Sequence, residues 1–296
     1  MVTDFAIEEP RSLDAAVDLL RDADDSVRPI AGGTGLTLLM RYGFFEPSRL
    51  VSLRRLPEEL ARIQPEPDGS LTIGALATAT DLERSAAIAE HAPMMRDALH
   101  RLSSVRVRNV ATVGGCLAHG HPQMDLPPVL IALDAQVRVR SAAGERTIAA
   151  EDLVQGYYET ALEPGELITE VRVPPHPDGH GRYHKVTART FEDWPTLGLA
   201  VRCDLADGRM RDVRVVVGAV SDRAQRVRAA EELLEDERPT EAVFEHAAGQ
   251  AAERVDCHSD PTASEEYRRA LVRVHLLRTL RDVTDPGGRP AGRDEA

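Results

Sequence analysis

The chain has 296 residues, 42% hydrophobic and 29% charged, an ordinary globular composition with room for about two domains. Its 36 basic and 49 acidic residues leave a net charge of −13, which argues against nucleic acid or an anionic membrane as the main partner. No window approaches the ~18 uninterrupted apolar residues of a membrane-spanning helix, and the acidic start (Asp4, Glu8, Glu9) shows no secretory pattern. Cys116, Cys203 and Cys257 are spaced too widely for a disulfide framework, a zinc ribbon or a self-contained iron–sulfur site. A cytoplasmic protein is expected.

In chain order, Ser12 reads as the N-cap of a helix whose apolar face is Leu13, Ala16, Val17 and Leu20. A short strand, Val27 to Ile30, ends in the glycine turn Ala31-Gly32-Gly33-Thr34-Gly35, followed by the first turns of a helix, Leu36 to Met40. Arg49 to Leu53 is a second strand. After a polar loop from Gln64 to Ser70, Leu71 to Leu76 reads as a strand. Thr80-x-x-Glu83 predicts a capping box opening a helix through Ala89, and another helix runs from Pro93 towards Arg101. Val105 to Val113 reads as extended and leads into a second glycine turn, Ala111-Thr112-Val113-Gly114-Gly115-Cys116. Pro127 to Leu133 fits a helix; Gln136 to Ser141 and Leu167 to Val173 fit strands.

The segment Pro174 to Gly181, rich in proline and glycine, is the expected domain boundary. Beyond it, Arg182 to Ala188, Leu197 to Asp204 and Arg211 to Val220 read as strands, the last two joined by a hairpin at Asp207-Gly208. Helices are expected over Ala224 to Glu235, Thr240 to Val255 and Ser264 to Val283. The last would start at Pro261-Thr262-x-x-Glu265 and carry a stripe of Leu271, Val274, Leu277 and Leu280. A charged, glycine-bearing tail from Pro286 is expected to be disordered. Strands and helices mix without strict alternation, so the fold class is α+β.

The two glycine turns share one design. Adjacent glycines let backbone N–H groups converge on an anion, and a following helix N-terminus adds partial positive charge. Two such turns could hold the two phosphates of a dinucleotide, with Thr34 and Thr112 adding hydroxyls. The chain has neither GxGxxG nor GxxxxGK[ST], which disfavours a Rossmann site and a P-loop. His119, His121 and Asp125 form a weak zinc pattern, and His176, His180 and His184 read as a solvated loop. No nucleophile–base pair stands out, so no catalytic and no metal-binding residue is assigned.

Three segments carry a resemblance. Pro29-Ile-Ala-Gly-Gly-Thr-Gly-Leu36 is one, and the long run from Arg108 through Thr112-Val-Gly-Gly-Cys116, His119-Gly-His121 and Asp125 to Pro128 is the second. The third comprises Glu163 to Ile168, Val173-Pro174, Tyr183-His-Lys185 and Asp193-Trp194-Pro195. In these the sequence resembles the medium, FAD-binding subunit of molybdenum hydroxylases, the group containing carbon monoxide dehydrogenase and xanthine dehydrogenase, over almost the whole chain. The resemblance implies a two-subdomain FAD-binding domain of the PCMH type over residues 1–176, with subdomains of about 1–55 and 56–176. A C-terminal flavoprotein domain of a three-stranded sheet with helices would follow over 182–285.

It also implies site residues. Ala31, Gly32, Gly33, Thr34 and Gly35, with Thr112, Val113, Gly114, Gly115 and Cys116, would hold the FAD pyrophosphate through backbone amides. Asp125 would contact the ribityl region, and Ile168, Lys185 and Trp194 would lie near the flavin ring. For Asp125 an N-cap role remains open, for Lys185 a solvated strand position, and for Trp194 a core or interface aromatic. Cys116 could tether a flavin or fill a small space. Gly35 and Cys116 stand where the family often has a polar residue and an asparagine. The implied function is an electron-transfer subunit whose FAD takes electrons from 2Fe-2S clusters on a small partner subunit, fed by a large molybdopterin-binding subunit. A self-sufficient FAD-dependent oxidase or dehydrogenase and a flavin-free scaffold subunit are the alternatives. Gly114→Val is expected to eject FAD and spare the fold.

Overall fold

The computed structural model describes residues 4–176 and 179–285. Pro177 and Asp178 of the expected linker, and the expected tail from Pro286, lie outside them.

A small parallel sheet opens the chain, with Arg49–Ser52 between Ala6–Glu8 and Val27–Ile30. The helix Leu13–Leu20 is capped as expected, Ser12 Oγ accepting the Ala15 N–H at 3.2 Å. It buries Ala16, Val17 and Leu20 in a core with Val27 and Val51. The first glycine turn leaves the strand Val27–Ile30 and enters the helix Leu36–Arg41.

The second layer is a five-stranded antiparallel sheet in the order Ile63–Pro65, Leu71–Gly74, Leu167–Val173, Gln136–Ser141, Gly144–Ala149. Leu167–Val173 alternates buried and partly exposed residues, as a strand with one covered face should. Its inner Val171 and Val173 belong to one core with Met94, Met95 and Leu99 of the helix Pro93–His100 and Leu130 of the helix Leu126–Ala132. Each such fully buried side chain contributes about 1.5–3 kcal/mol.

The C-terminal sheet consists of Gly179–Thr187, Pro195–Ala206 and Arg209–Gly218, joined at its edge by a two-residue strand, Gln225–Arg226. Asp207 and Gly208 both take positive φ, 52° and 70°, so the two-residue hairpin forms where their side chains permit it. The central strand is buried on both faces. Leu197, Leu199 and Val201 meet the helices Arg228–Leu234, Glu241–Arg254 and Glu265–Thr284, while Ala200 joins the core of the preceding domain. Arg202, 1% exposed, crosses the same junction. It donates to the Ala132 carbonyl (2.8 Å), Asp134 (3.1 Å) and Asp212 (2.7 Å) and lies 2.8 Å from His176 Nδ1.

Several local expectations are corrected. The capping box is Thr78 with Asp81, two residues earlier than expected, and the helix breaks at Ser85 into Ala79–Arg84 and Ala86–His91. Val105–Arg108 is a helical turn rather than a strand. The alternation of VRVR imitated a strand, but Arg108 folds inward to Glu83 (3.1 Å) and to the carbonyls of Leu102 and Ser103. Gly179 to Gly181 pair in a sheet with Asp204 to Arg202 rather than forming linker. His176 is bonded to the Leu133 carbonyl, and His184 stacks on His275 at 4.6 Å, so neither belongs to a solvated loop. In Glu265–Thr284 the N-cap is Ser264, and the buried face is Arg268, Val272, Leu276, Leu280 and Val283. Val274 is exposed, because a spacing of three drifts around a helix whose true period is 3.6.

Candidate cofactor-binding site

The two glycine turns, 80 residues apart in sequence, meet in space. A Cβ on residue 32 would stand inside the Val110 carbonyl, with Ala111 Cα 3.0 Å away. A Cβ on residue 115 would lie 4.0 Å from the Ala31 methyl, and one on residue 35 only 2.7 Å from His119 Nε2. Gly33 has φ +72°, a conformation that any other side chain would strain. The backbones therefore approach closely because glycine occupies the contact points.

Their hydrogen bonds differ. In the first turn the amides of Gly32, Gly33, Thr34 and Gly35 have no acceptor among the described residues. In the second turn the amides are already engaged. Val113 donates to the Ala77 carbonyl (3.0 Å), Gly114 to Ala75 (2.8 Å), Gly115 to Thr112 Oγ1 (3.1 Å) and Cys116 to Thr112 O (2.9 Å). Thr112 is the N-cap of the helix Val113–His119. The amides from Val113 to Cys116 thus build the helix and fix it to the neighbouring loop. Gly114 is buried against Ala75, whereas Gly115 is exposed towards the first turn.

Asp125 and Lys185 come together, but inside the protein. Asp125 accepts from Tyr183 Oη (2.7 Å) and Lys185 Nζ (3.0 Å), and Nζ also donates to the Arg101 carbonyl (2.9 Å). The side chains of Lys185 and Asp125 are 1% and 8% exposed. Burial pushes the Asp125 carboxyl up against the pull of Lys185, and pushes the Tyr183 phenol well above its ordinary range. The solvated position considered for Lys185 and the capping role considered for Asp125 are both overturned, since Asp125 makes no cap bond. The three groups join the helix Leu126–Ala132 to the C-terminal sheet. Beside them, burial first and the Asp125 charge second push the Cys116 thiol up to about 12, so no thiolate is available there for a covalent tether.

Trp194 lies at the surface, half exposed, with its ring 4.5 Å from that of His121. His121 also meets Tyr157 and Tyr158 at 5.3 and 5.2 Å, and His119 meets Tyr158 edge-on at 5.0 Å. The Gln123 N–H donates to His121 Nδ1 (3.1 Å), so the ring proton sits on Nε2, 3.3 Å from Tyr157 Oη. Burial, then neighbouring His119, lowers His121 to about 4, and burial also lowers His119, leaving both neutral at pH 7. Ile168 is half-buried against the core, next to a bulge in its strand. Sequence reasoning gave no role to Tyr157 and Tyr158; the one local signal was two adjacent tyrosines, of which Tyr158 takes φ +61°. A shallow cavity of about 270 Å³ lined by Leu60, Gln64, Thr72 and Thr169 contains none of these residues.

The two apposed glycine turns lie in the N-terminal part of the chain, and the C-terminal sheet packs against it. Residues 3–176 match the family model of the FAD binding domain in molybdopterin dehydrogenase, and residues 182–283 that of the CO dehydrogenase flavoprotein C-terminal domain. The nicotine 6-hydroxylase medium subunit of Paenarthrobacter nicotinovorans is 36% identical, over 92% of this chain and 94% of its own length. The carbon monoxide dehydrogenase medium chain of Hydrogenophaga pseudoflava is 30% identical, over 93% and 96%. Among solved structures, a chain of carbon monoxide dehydrogenase from Oligotropha carboxidovorans superposes with a TM-score of 0.91 at 29% identity, covering 96% of this chain and 99% of that one. The chain belongs to the family of medium, FAD-binding subunits of molybdenum hydroxylase complexes. It is an oxidoreductase subunit with FAD as its cofactor. Among the described residues no helix is long and apolar enough to cross a membrane.

Proposed function

We propose that this chain is the electron relay of its complex, taking electrons from 2Fe-2S clusters on a small partner subunit and passing them to an external acceptor. A large molybdopterin-binding subunit would oxidise the substrate. Bound FAD supplies redox chemistry in one- or two-electron steps. The protein's part is to bind and orient it. The amides of Gly32 to Gly35, with the Thr34 hydroxyl, receive the diphosphate; Ala31 and the surface of Thr112, Gly115 and Cys116 wall the cleft. Trp194, with His121 behind it, and Ile168 border the flavin ring. Asp125 and Lys185 act behind the cleft, holding the C-terminal sheet to the helix that follows the second turn. No side chain is assigned as general acid or base.

The observation that carries this reading is the contact between the two turns, with the first turn's amides free to donate. The test is purification of the complex, co-expressed with the genes beside this one, followed by flavin and metal analysis. Stoichiometric FAD, with iron and molybdenum only on the other subunits, is expected. A complex without flavin would mean a scaffold subunit, and substrate oxidation by this chain alone would mean a self-sufficient oxidase.

A further inference from the structure

The ring of His119 fills the space that a side chain on residue 35 would take. A Cβ there would lie 2.7 Å from Nε2, 2.8 Å from Cε1 and 3.0 Å from Cδ2. The imidazole thus lies over the first glycine turn although it belongs to the helix of the second, Val113–His119, which ends at Gly120 in the left-handed conformation. It is fixed from the outside by Tyr158, edge-on at 5.0 Å, and by His121, whose ring lies nearly parallel at 6.2 Å.

Neither ring nitrogen of His119 has a hydrogen-bond partner among the described residues. A neutral imidazole always carries one N–H donor and one acceptor. His121 is bonded at Nδ1 by Gln123, and the second turn's amides are bonded internally. The free donors around the first turn are its own amides, the Thr34 hydroxyl and the imidazole above them. His119 is only half-buried, so its ring N–H keeps access to the cleft and is open to an acceptor there.

We propose that His119 is a further cofactor-binding residue, donating its ring N–H to the diphosphate of FAD in place of the side chain that Gly35 lacks. The first turn offers a bare backbone, and the second turn lends it a side chain across the cleft. Gly35 and His119 are then one unit: any side chain at 35 displaces the ring, and loss of the ring leaves the turn with its amides and the Thr34 hydroxyl. This inference rests on the FAD-binding reading above.

The test uses the co-expressed complex, deflavinated and titrated with FAD and, separately, with riboflavin, which has no phosphate. The variants are His119→Phe, which keeps the ring, and His119→Gln, which keeps a donor. For His119→Phe, FAD affinity should fall about tenfold or more, the loss of one hydrogen bond to a charged group. Riboflavin affinity should not change, and His119→Gln should recover most of the FAD affinity. Thermal melts of the apo complexes separate this effect from misfolding: His119→Phe with an unchanged melt and weakened FAD supports the assignment. Equal FAD affinity for wild type and His119→Phe overturns it, as does an equal loss for FAD and riboflavin. If wild type itself binds no FAD, the reading beneath it fails instead.

Discussion

The Val110 carbonyl occupies the space that a Cβ on Gly32 would need, so the first glycine turn touches the backbone leading into the second. This contact makes one cleft of two turns, and it depends on an absent methyl group rather than on any attraction between side chains.

Gly32→Ala therefore forces backbone from backbone. A clash with a carbonyl cannot be relieved by a rotamer change, so a destabilisation of about 1–3 kcal/mol is expected. The cleft should open and bound FAD should fall. Denaturant unfolding of the chain, together with flavin content of the complex, checks both; an unchanged unfolding midpoint would contradict the packing described here.

Gly114→Val should act on the fold first, contrary to the sequence-based expectation. A Cβ there would lie 2.7 Å from the Ala75 methyl and 2.9 Å from the Ala75 carbonyl, which also accepts the Gly114 N–H. Overpacking of about 1–3 kcal/mol is expected, seen as a lowered melting temperature even without flavin. An apo protein that melts like wild type would restore the earlier view of this residue as a phosphate contact.

Lys185→Met should leave the Asp125 carboxylate buried and unpaired. Removing one partner of a buried pair costs about 3–5 kcal/mol, while Lys185→Met combined with Asp125→Leu should cost less than Lys185→Met alone. Equilibrium unfolding of the single and double variants measures the difference. Additive losses would show that the two side chains do not act through each other.

Acid should weaken the fold through two histidines, His121 beside Trp194 and His275 stacked on His184. His121 and His275 are each held near 4 by burial, with neighbouring histidines adding to the effect, against about 6.5 in an unfolded chain. Between those values the unfolded state binds more protons, so stability rises with pH. Their contribution is complete above about pH 6.5 and is lost as pH falls towards 4. In His121→Gln the slope of unfolding midpoint against pH should flatten over that window; an unaltered slope would exclude His121 as a source.

Trp194 is the sole tryptophan and stands half exposed against His121. If it borders the flavin ring, its emission should be quenched when the deflavinated complex takes up FAD, and Trp194→Phe should remove the signal. Unchanged emission at saturating FAD would remove Trp194 from the site.

Local signals carried much of the architecture. Ser12 as a cap, the strands Val27–Ile30 and Gln136–Ser141, and the Asp207-Gly208 hairpin depend on neighbours within a few residues, and each formed where the pattern placed it. Segments whose pattern served two periods did not. VRVR at 105–108 alternates like a strand, yet it coils because Arg108 finds its acceptors at Glu83, Leu102 and Ser103.

The sequence alone determined the class of fold and the family, because glycine turns, caps and the order of motifs are written in consecutive residues. It could not decide which amides stay free, because that depends on carbonyls such as those of Ala75 and Ala77, which approach from another part of the chain. Nor could it decide that Asp125 and Lys185 bind each other, or that the His119 ring covers Gly35. Those contacts exist only once the subdomains have packed, when burial rather than proximity in sequence determines which polar groups must find one another.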